Sequence, residues 1–300
     1  MDPTINDSDI ESLNQFLLSC ELQEGNNPRY INGGGIFKAS MPHSKQPMFY
    51  EPLICLVAQG EKLCHVGDET FNYKKGDFFI NMLPMPVKAE IAVASEETPF
   101  LSATLSIDLV RVADMLLKIE KLEGERAPTT NQTNSCLMVG KACDQLVTAF
   151  HRLVALGANE MDSAVLGESI VNEIYYRILM SEYGFSLRTL LSQYGQVQPI
   201  SKAVSFIHNN LDKNIQIQEL ASLSNMSKTT FFNTFKKLMH VAPNQYIKSS
   251  KLQKAQSLLK NGMQANEASF RVGYNSFSQF SREYKRLFGF SPSETRLHPN

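Results

Sequence analysis

Apolar positions along the chain change period several times, and each change predicts a different kind of element. Near the start, Ile10, Leu13, Phe16, Leu17 and Cys20 recur at three- and four-residue steps, the spacing of one helix face. From about Gly33 to Leu105 the pattern turns to short strands. Segments 36–39, 53–58, 62–66, 69–73, 77–81, 87–94 and 100–105 are separated by Gly60, Gly67-Asp68, Gly76-Asp77 and Pro84–Pro86. Many short strands between close turn signals predict a β-barrel or sandwich. After Ile107 three helical stripes follow. They are Leu109, Val112, Ala113, Leu116 and Leu117; Leu146, Phe150, Leu153, Val154 and Leu156; and Val165, Ile170, Ile174, Ile178 and Leu179. Residues 124–135 between the first two stripes are polar and loop-like. Beyond Pro199 only short helices with capping signals are expected.

The fold class this predicts is α+β: a barrel with flanking helices, then an all-α domain. The expected boundaries are 1–195 for the first domain, with the barrel at about 33–106 and helices at about 107–195. A linker is expected at 196–199 and the second domain at 200–297.

The second domain contains a repeat. Leu220-Ala-Ser-Leu-Ser-Asn-Met-Ser227, then Phe231, Phe235, Leu238 and Pro243, parallels Ser269-Phe-Arg-Val-Gly-Tyr-Asn-Ser276, then Phe280, Tyr284, Leu287 and Pro292. The offset is 48 before the turn and 49 after it, so the second copy has one extra turn residue. Each copy reads as a helix-turn-helix. A small residue, Ala221 or Ser269, allows two helices to approach, and Asn225 or Gly273 tolerates a left-handed turn. Ser227 or Ser276 caps the next helix. That helix turns Phe231 and Phe235, or Phe280 and Tyr284, inward and leaves a polar, partly basic face. Such a helix fits the DNA major groove. Between the copies, Asn244–Lys260 is expected to be one helix that sets the spacing of the two reading heads, about 34 Å if both meet one face of B-DNA.

Charge sharpens this picture. The 300 residues sum to a net charge of −1, but residues 199–300 hold 14 Lys and Arg against 5 Asp and Glu, a net of +9. The rest of the chain carries −10. A basic module on an acidic body points to a polyanionic partner, here double-stranded DNA. Hydrophobic residues at 43% and charged residues at 20% exclude a disordered chain. No apolar run approaches the roughly 18 residues of a membrane span. Met1 to Ser12 is acidic and polar, unlike an export signal, so the five cysteines are expected to be reduced thiols in a cytoplasmic protein.

The sequence resembles the AraC/XylS family of bacterial transcription regulators over about residues 200–297. The residues that carry the resemblance include Leu220-Ala221, Met226-Ser227, Phe235-Lys236-Lys237, Pro243, Tyr246, Leu252, Ala255, Leu258-Leu259, Val272-Gly273-Tyr274, Phe280-Ser281-Arg282, Lys285, Phe288-Gly289 and Ser291-Pro292. Departures are Lys251 for a usual arginine, His240 for a glycine, Ser269 for an alanine, and Asn233 where a basic residue is frequent. Tyr50-Glu51-Pro52-Leu53, Gln59-Gly60, Gly76-Asp77, Leu83-Pro84, Glu173-Ile174 and Leu187-Arg188 are similar to the N-terminal domain of one subgroup. The resemblance implies a cupin-like barrel, effector sensing, a homodimer, and a sequence-specific regulator, most often an activator that contacts RNA polymerase. Some relatives in the subgroup are implicated in sensing aldehydes.

By position on the reading helices, Thr229, Phe232 and Asn233 are the base-contact candidates of the first motif. Phe277, Ser278, Gln279 and Arg282 are those of the second. Asn and Gln pair with adenine, Arg with guanine, and apolar rings with thymine methyls. Lys228, Lys236, Lys237, Lys285 and Arg286 are assigned to phosphates, which position without specifying sequence. In the barrel, Met48, Tyr50, Cys55, Cys64, Met82 and Met85 are the pocket candidates, for a small apolar molecule or an electrophile that meets a thiol. The competing reading is that the cysteines are ordinary core residues. No cofactor, metal or catalytic residue is expected: His65 stands without a second histidine at metal-ligand spacing. Two rival functions are a cupin-type enzyme fused to a DNA-binding module and an architectural DNA-binding protein that has no effector.

Overall fold

The structure is a computed structural model that describes residues 7–123, 135–184, 187, 188, 191 and 197–297. Helix α1 (Asp7–Ser19) precedes nine strands: β1 (Gly25–Pro28), β2 (Gly34–Ala39), β3 (His43–Tyr50), β4 (Leu53–Gln59), β5 (Glu61–Val66), β6 (Glu69–Lys74), β7 (Asp77–Asn81), β8 (Met85–Val93) and β9 (Phe100–Ser106). After α2 (Leu109–Glu123) and β10 (Leu137–Lys141) come α3 (Asp144–Leu156) and α4 (Glu160–Met180). The strands form two antiparallel sheets. One has six strands in the order β1-β2-β9-β4-β7-β10, the other four in the order β3-β8-β5-β6.

Burial follows from these positions. In β4, Ile54 to Ala58 is a continuous buried run, because one face meets the barrel interior and the other meets α1. In β5 and β8 burial alternates, with Lys62, Cys64 and Val66, then Met85, Val87, Ala89 and Ile91, turned inward. The stripe on α3 is buried against α1, α4 and the large sheet, so it is not free to meet a second chain.

Three strands lie outside the expected strand segments. β1 (Gly-Asn-Asn-Pro) and β3 are polar edge strands held by ladder hydrogen bonds. β3 contains Pro47, which an edge tolerates because one side of the ladder has no partner strand. β10 lies within the segment expected to be helical and returns to pair with β7, Leu137 opposite Asn81 and Lys141 opposite Asp77. The sheet region therefore starts at Gly25 rather than at about 33, and one strand lies beyond 106.

The second domain consists of α5 (Val197–Asn209), α6 (Ile217–Leu223), α7 (Lys228–Met239), α8 (Pro243–Lys260), α9 (Ala265–Arg271), α10 (Phe277–Phe288) and a 3-10 turn at Pro292–Leu297. Residues 197–199, expected to be linker, are the first turn of α5, where Pro199 lacks only a hydrogen bond that no first turn makes. Residue 196 lies outside the described residues, as do 124–134 of the expected loop.

Two cores result. Phe231, Phe235 and Leu238 of α7, with Tyr246 and Ile247 of α8, join the same hydrophobic cluster as the barrel. Leu252, Ala255, Leu259, Ala268, Val272, Phe280 and Tyr284 form the other. Polar contacts also cross between the first motif and the barrel. Tyr246 Oη donates to the Pro84 carbonyl at 2.6 Å, and Cys136 N–H donates to the Leu238 carbonyl at 3.1 Å. His208 Nε2 lies 2.8 Å from Tyr246 Oη; since that hydroxyl donates to Pro84, Nε2 carries the hydrogen. Phe49 of β3 packs on the His208 ring, with centroids 5.1 Å apart.

Candidate nucleic-acid interface and ligand cavity

The two candidate reading helices are α7 and α10, and the same local chemistry sets each. Ser227 Oγ accepts from the Thr230 amide at 3.1 Å, and Ser276 Oγ accepts from the Gln279 amide at 3.3 Å. The preceding turns pass through left-handed backbone, φ 53° at Asn225 and φ 74° at Gly273. At Gly273 a Cβ would stand 2.5 Å from the Asp212 carbonyl oxygen, so glycine is required there for space as well. Phe231, Phe235, Phe280 and Tyr284 are fully buried, which fixes the rotation of both helices.

That rotation leaves every proposed base-contact residue exposed: Thr229, Phe232 and Asn233 on α7, and Phe277, Ser278, Gln279 and Arg282 on α10. Lys228, Lys236, Lys237, Lys285 and Arg286 are exposed on the same two helices. Phe232 and Phe277 stand out as large rings in water, 37% and 38% accessible. Arg282 Nε rests on the Ser278 carbonyl at 3.3 Å, and Gln279 Nε2 on Glu283 Oε1 at 3.4 Å. Both are exposed bonds that DNA can replace. The one acid on α10, Glu283, is held by Lys248 at 3.2 Å and by Tyr274 Oη at 2.7 Å. Burial works to raise its pKa, but these partners outweigh it and keep the carboxyl below its ordinary value. Its charge is thereby offset beside the reading face.

His240, the departure from glycine, occupies a left-handed position at the end of α7, φ 57°. Its ring is held from the other domain by Ser135 Oγ at 2.7 Å and by Phe71, centroids 5.8 Å apart. These contacts account for a side chain where the backbone favours glycine.

Between the two sheets is a cavity of about 760 Å³, within the usual range for small-molecule sites. Of the pocket candidates, Met48, Tyr50 and Cys55 line it; Cys64, Met82 and Met85 are fully buried in the core and do not. Burial pushes the Cys55 and Cys64 thiols up to about 12, so the core reading fits them better than the reactive one. Sequence reasoning missed Lys62, Phe37, Tyr73, Phe79 and Phe100, which complete the wall. A signal for Lys62 existed: a lysine on the inward face of β5, in step with Cys64 and Val66. His65 is satisfied structurally, with Nδ1 3.0 Å from Thr70 Oγ1 and Nε2 3.1 Å from Glu90 Oε2.

Compared with known families, residues 30–185 match the AraC-type transcriptional regulator N-terminus, and residues 220–298 match a helix-turn-helix domain. The chain is 27% identical over 150 residues to the probable transcriptional regulator LumQ of Photobacterium leiognathi, covering 48% of this chain and 58% of LumQ. It is 32% identical over 98 residues to the XylDLEGF operon transcriptional activator of Pseudomonas putida, covering 31% of this chain and 30% of that protein. These matches thus span less than two thirds of either relative. Among solved structures, ToxT from Vibrio cholerae with an unsaturated fatty acid bound superposes with a TM-score of 0.60 at 12% identity, covering 88% of this chain and 94% of ToxT. That likeness concerns the fold, a β-sandwich with helices followed by a helical domain. The family is regulatory rather than enzymatic. With the N-terminal match alone covering more than half of its length, the chain belongs to the AraC-type transcriptional regulators.

Proposed function

We propose that this protein is a sequence-specific DNA-binding regulator, a ligand-responsive activator that reads promoter DNA with α7 and α10. The observation that carries the reading is the pair of serine-capped helices, each buried on one side and presenting a polar and basic face on the other. The +9 charge of residues 199–300 supports a polyanionic partner. Among relatives, the P. putida protein is named an operon transcriptional activator, which supports activation rather than repression. ToxT has been solved with a fatty acid bound, and the cavity between the sheets supports an effector here too. A homodimer fits the apolar side chains left in water on α2 (Val110, Leu117, Leu122) and α4 (Met161, Val165, Tyr176). Among the described residues no helix is long and apolar enough to cross a membrane.

The test is fluorescence anisotropy against the protein's own upstream DNA and a scrambled duplex, over a range of salt, for wild type and Arg282→Ala. The expected outcome is preference for the upstream duplex and affinity that falls as salt rises. Arg282→Ala should lose about 1–3 kcal/mol on the upstream duplex only. Equal binding to both duplexes, unchanged by the substitution, would favour the architectural reading.

A further inference from the structure

We propose that the barrel cavity binds a small organic monoanion, a carboxylate on an apolar or aromatic body, with the Lys62 ammonium as its anchor. This deepens the effector reading above and rests on it for any effect on transcription.

Lys62 is only 8% exposed and reaches from the four-stranded sheet toward the six-stranded one. Its Nζ lies 4.4 Å from the Phe37 ring centroid, 5.3 Å from Tyr50 and 5.8 Å from Phe100. Three aromatic rings stabilise an ammonium through their quadrupoles but do not neutralise it. Among the described residues no acidic side chain forms an ion pair with Lys62. The acidic groups within its electrostatic reach are Tyr50, Cys55 and Cys64, and burial holds all three protonated: it raises the phenol and pushes both thiols up to about 12. Two charged groups stand at the rim. Arg29 donates through Nη2 to Cys20 Sγ at 3.2 Å while its Nε has no partner, and Glu51, at the β3–β4 corner, faces water.

The same wall holds a second unmet group. Tyr50 is 7% exposed, yet its hydroxyl, near both Lys62 and Tyr73, meets no partner in hydrogen-bond geometry. A buried cation beside an unsatisfied hydroxyl is costly unless a counter-charge arrives. Among the described residues no fixed group supplies one, so the negative charge comes with the ligand. A carboxylate satisfies both donors at once through charge-assisted bonds. Met48, Phe79 and Phe100 enclose an apolar body, and a cavity of about 760 Å³ admits a small molecule and not a folded partner.

The test is isothermal titration of the full-length protein with benzoate, 4-phenylbutanoate, decanoate and oleate, each beside its own primary amide. At least one acid should saturate at one per chain and bind about tenfold or more tightly than its amide. Lys62→Met should erase that preference. Four acids that do not bind, amides that bind as tightly as acids, or a preference that survives in Lys62→Met would each overturn the proposal. The acid-to-amide comparison is made on wild type, so it does not depend on the variant folding. Failed acid binding with DNA preference intact overturns this ligand class and leaves the regulator reading. Failed DNA preference with acid binding intact does the reverse.

Discussion

Lys251 shows how one side chain couples the two halves of the DNA-binding domain. It is 9% exposed, and its Nζ donates to the Lys213 carbonyl at 2.8 Å, with the Gly273 carbonyl 3.5 Å away. Burial draws its pKa below the ordinary lysine value, and nearby Asp212 partly restores it. The ammonium thus ties the loop after α5 to the turn of the second motif. Lys251→Met should take the charged donor from both part-buried contacts and cost about 1–3 kcal/mol, read as a lower urea midpoint. Lys251→Arg, the residue more usual in the family, should recover most of that loss. An unchanged midpoint in Lys251→Met would remove the assigned role.

At the scale of elements, the tip of the β5–β6 hairpin meets the end of α7. Gly67 has φ 58°, and a Cβ there would lie 2.2 Å from the His240 carbonyl oxygen. Gly67→Ala should therefore push the first reading helix off the barrel while leaving both domains folded. The expected result is a larger radius of gyration by small-angle scattering with unchanged far-UV circular dichroism. An unchanged radius would count against the contact. Elements differed in how readable they were. β4, β5 and β7 were legible because buried strands carry apolar runs or alternation between glycine turns. β1 and β3 were not, because these polar edge strands rest on backbone pairing that side-chain pattern does not record; β10 was not, because a short apolar run between helical stripes reads equally as helix. The same division holds for the sites. The capped turns before α7 and α10 lie within a few residues of sequence. The cavity draws Phe37, Tyr50, Lys62 and Phe100 from four strands, and only the register brings them together.

At the scale of the whole molecule, two histidines line the contact between the barrel and the first motif. Burial lowers the pKa of His208, and likewise that of His240, where Glu69 partly opposes it. The docked form therefore takes up fewer protons than an opened form near the ordinary histidine value of about 6.5. Docking should be complete above that value and weaken as pH falls below it. The Cys136 amide, which donates across the contact to Leu238, is the reporter. Its hydrogen-exchange protection should drop between pH 7.5 and 5.5 after correction for intrinsic exchange; a flat profile would refute the linkage. Helix α8 gives the contact its reach. Its first half is packed in the core shared with the barrel and its second half in the separate core of the second motif. It is a lever clamped at one end. Over its 18 residues, about 27 Å, a tilt of roughly 7° at the clamp moves the far tip by roughly 3.4 Å, one step along a DNA strand. On the proposed function, a strain too small to unfold anything in the barrel thus suffices to put the second helix-turn-helix in or out of phase with a DNA strand.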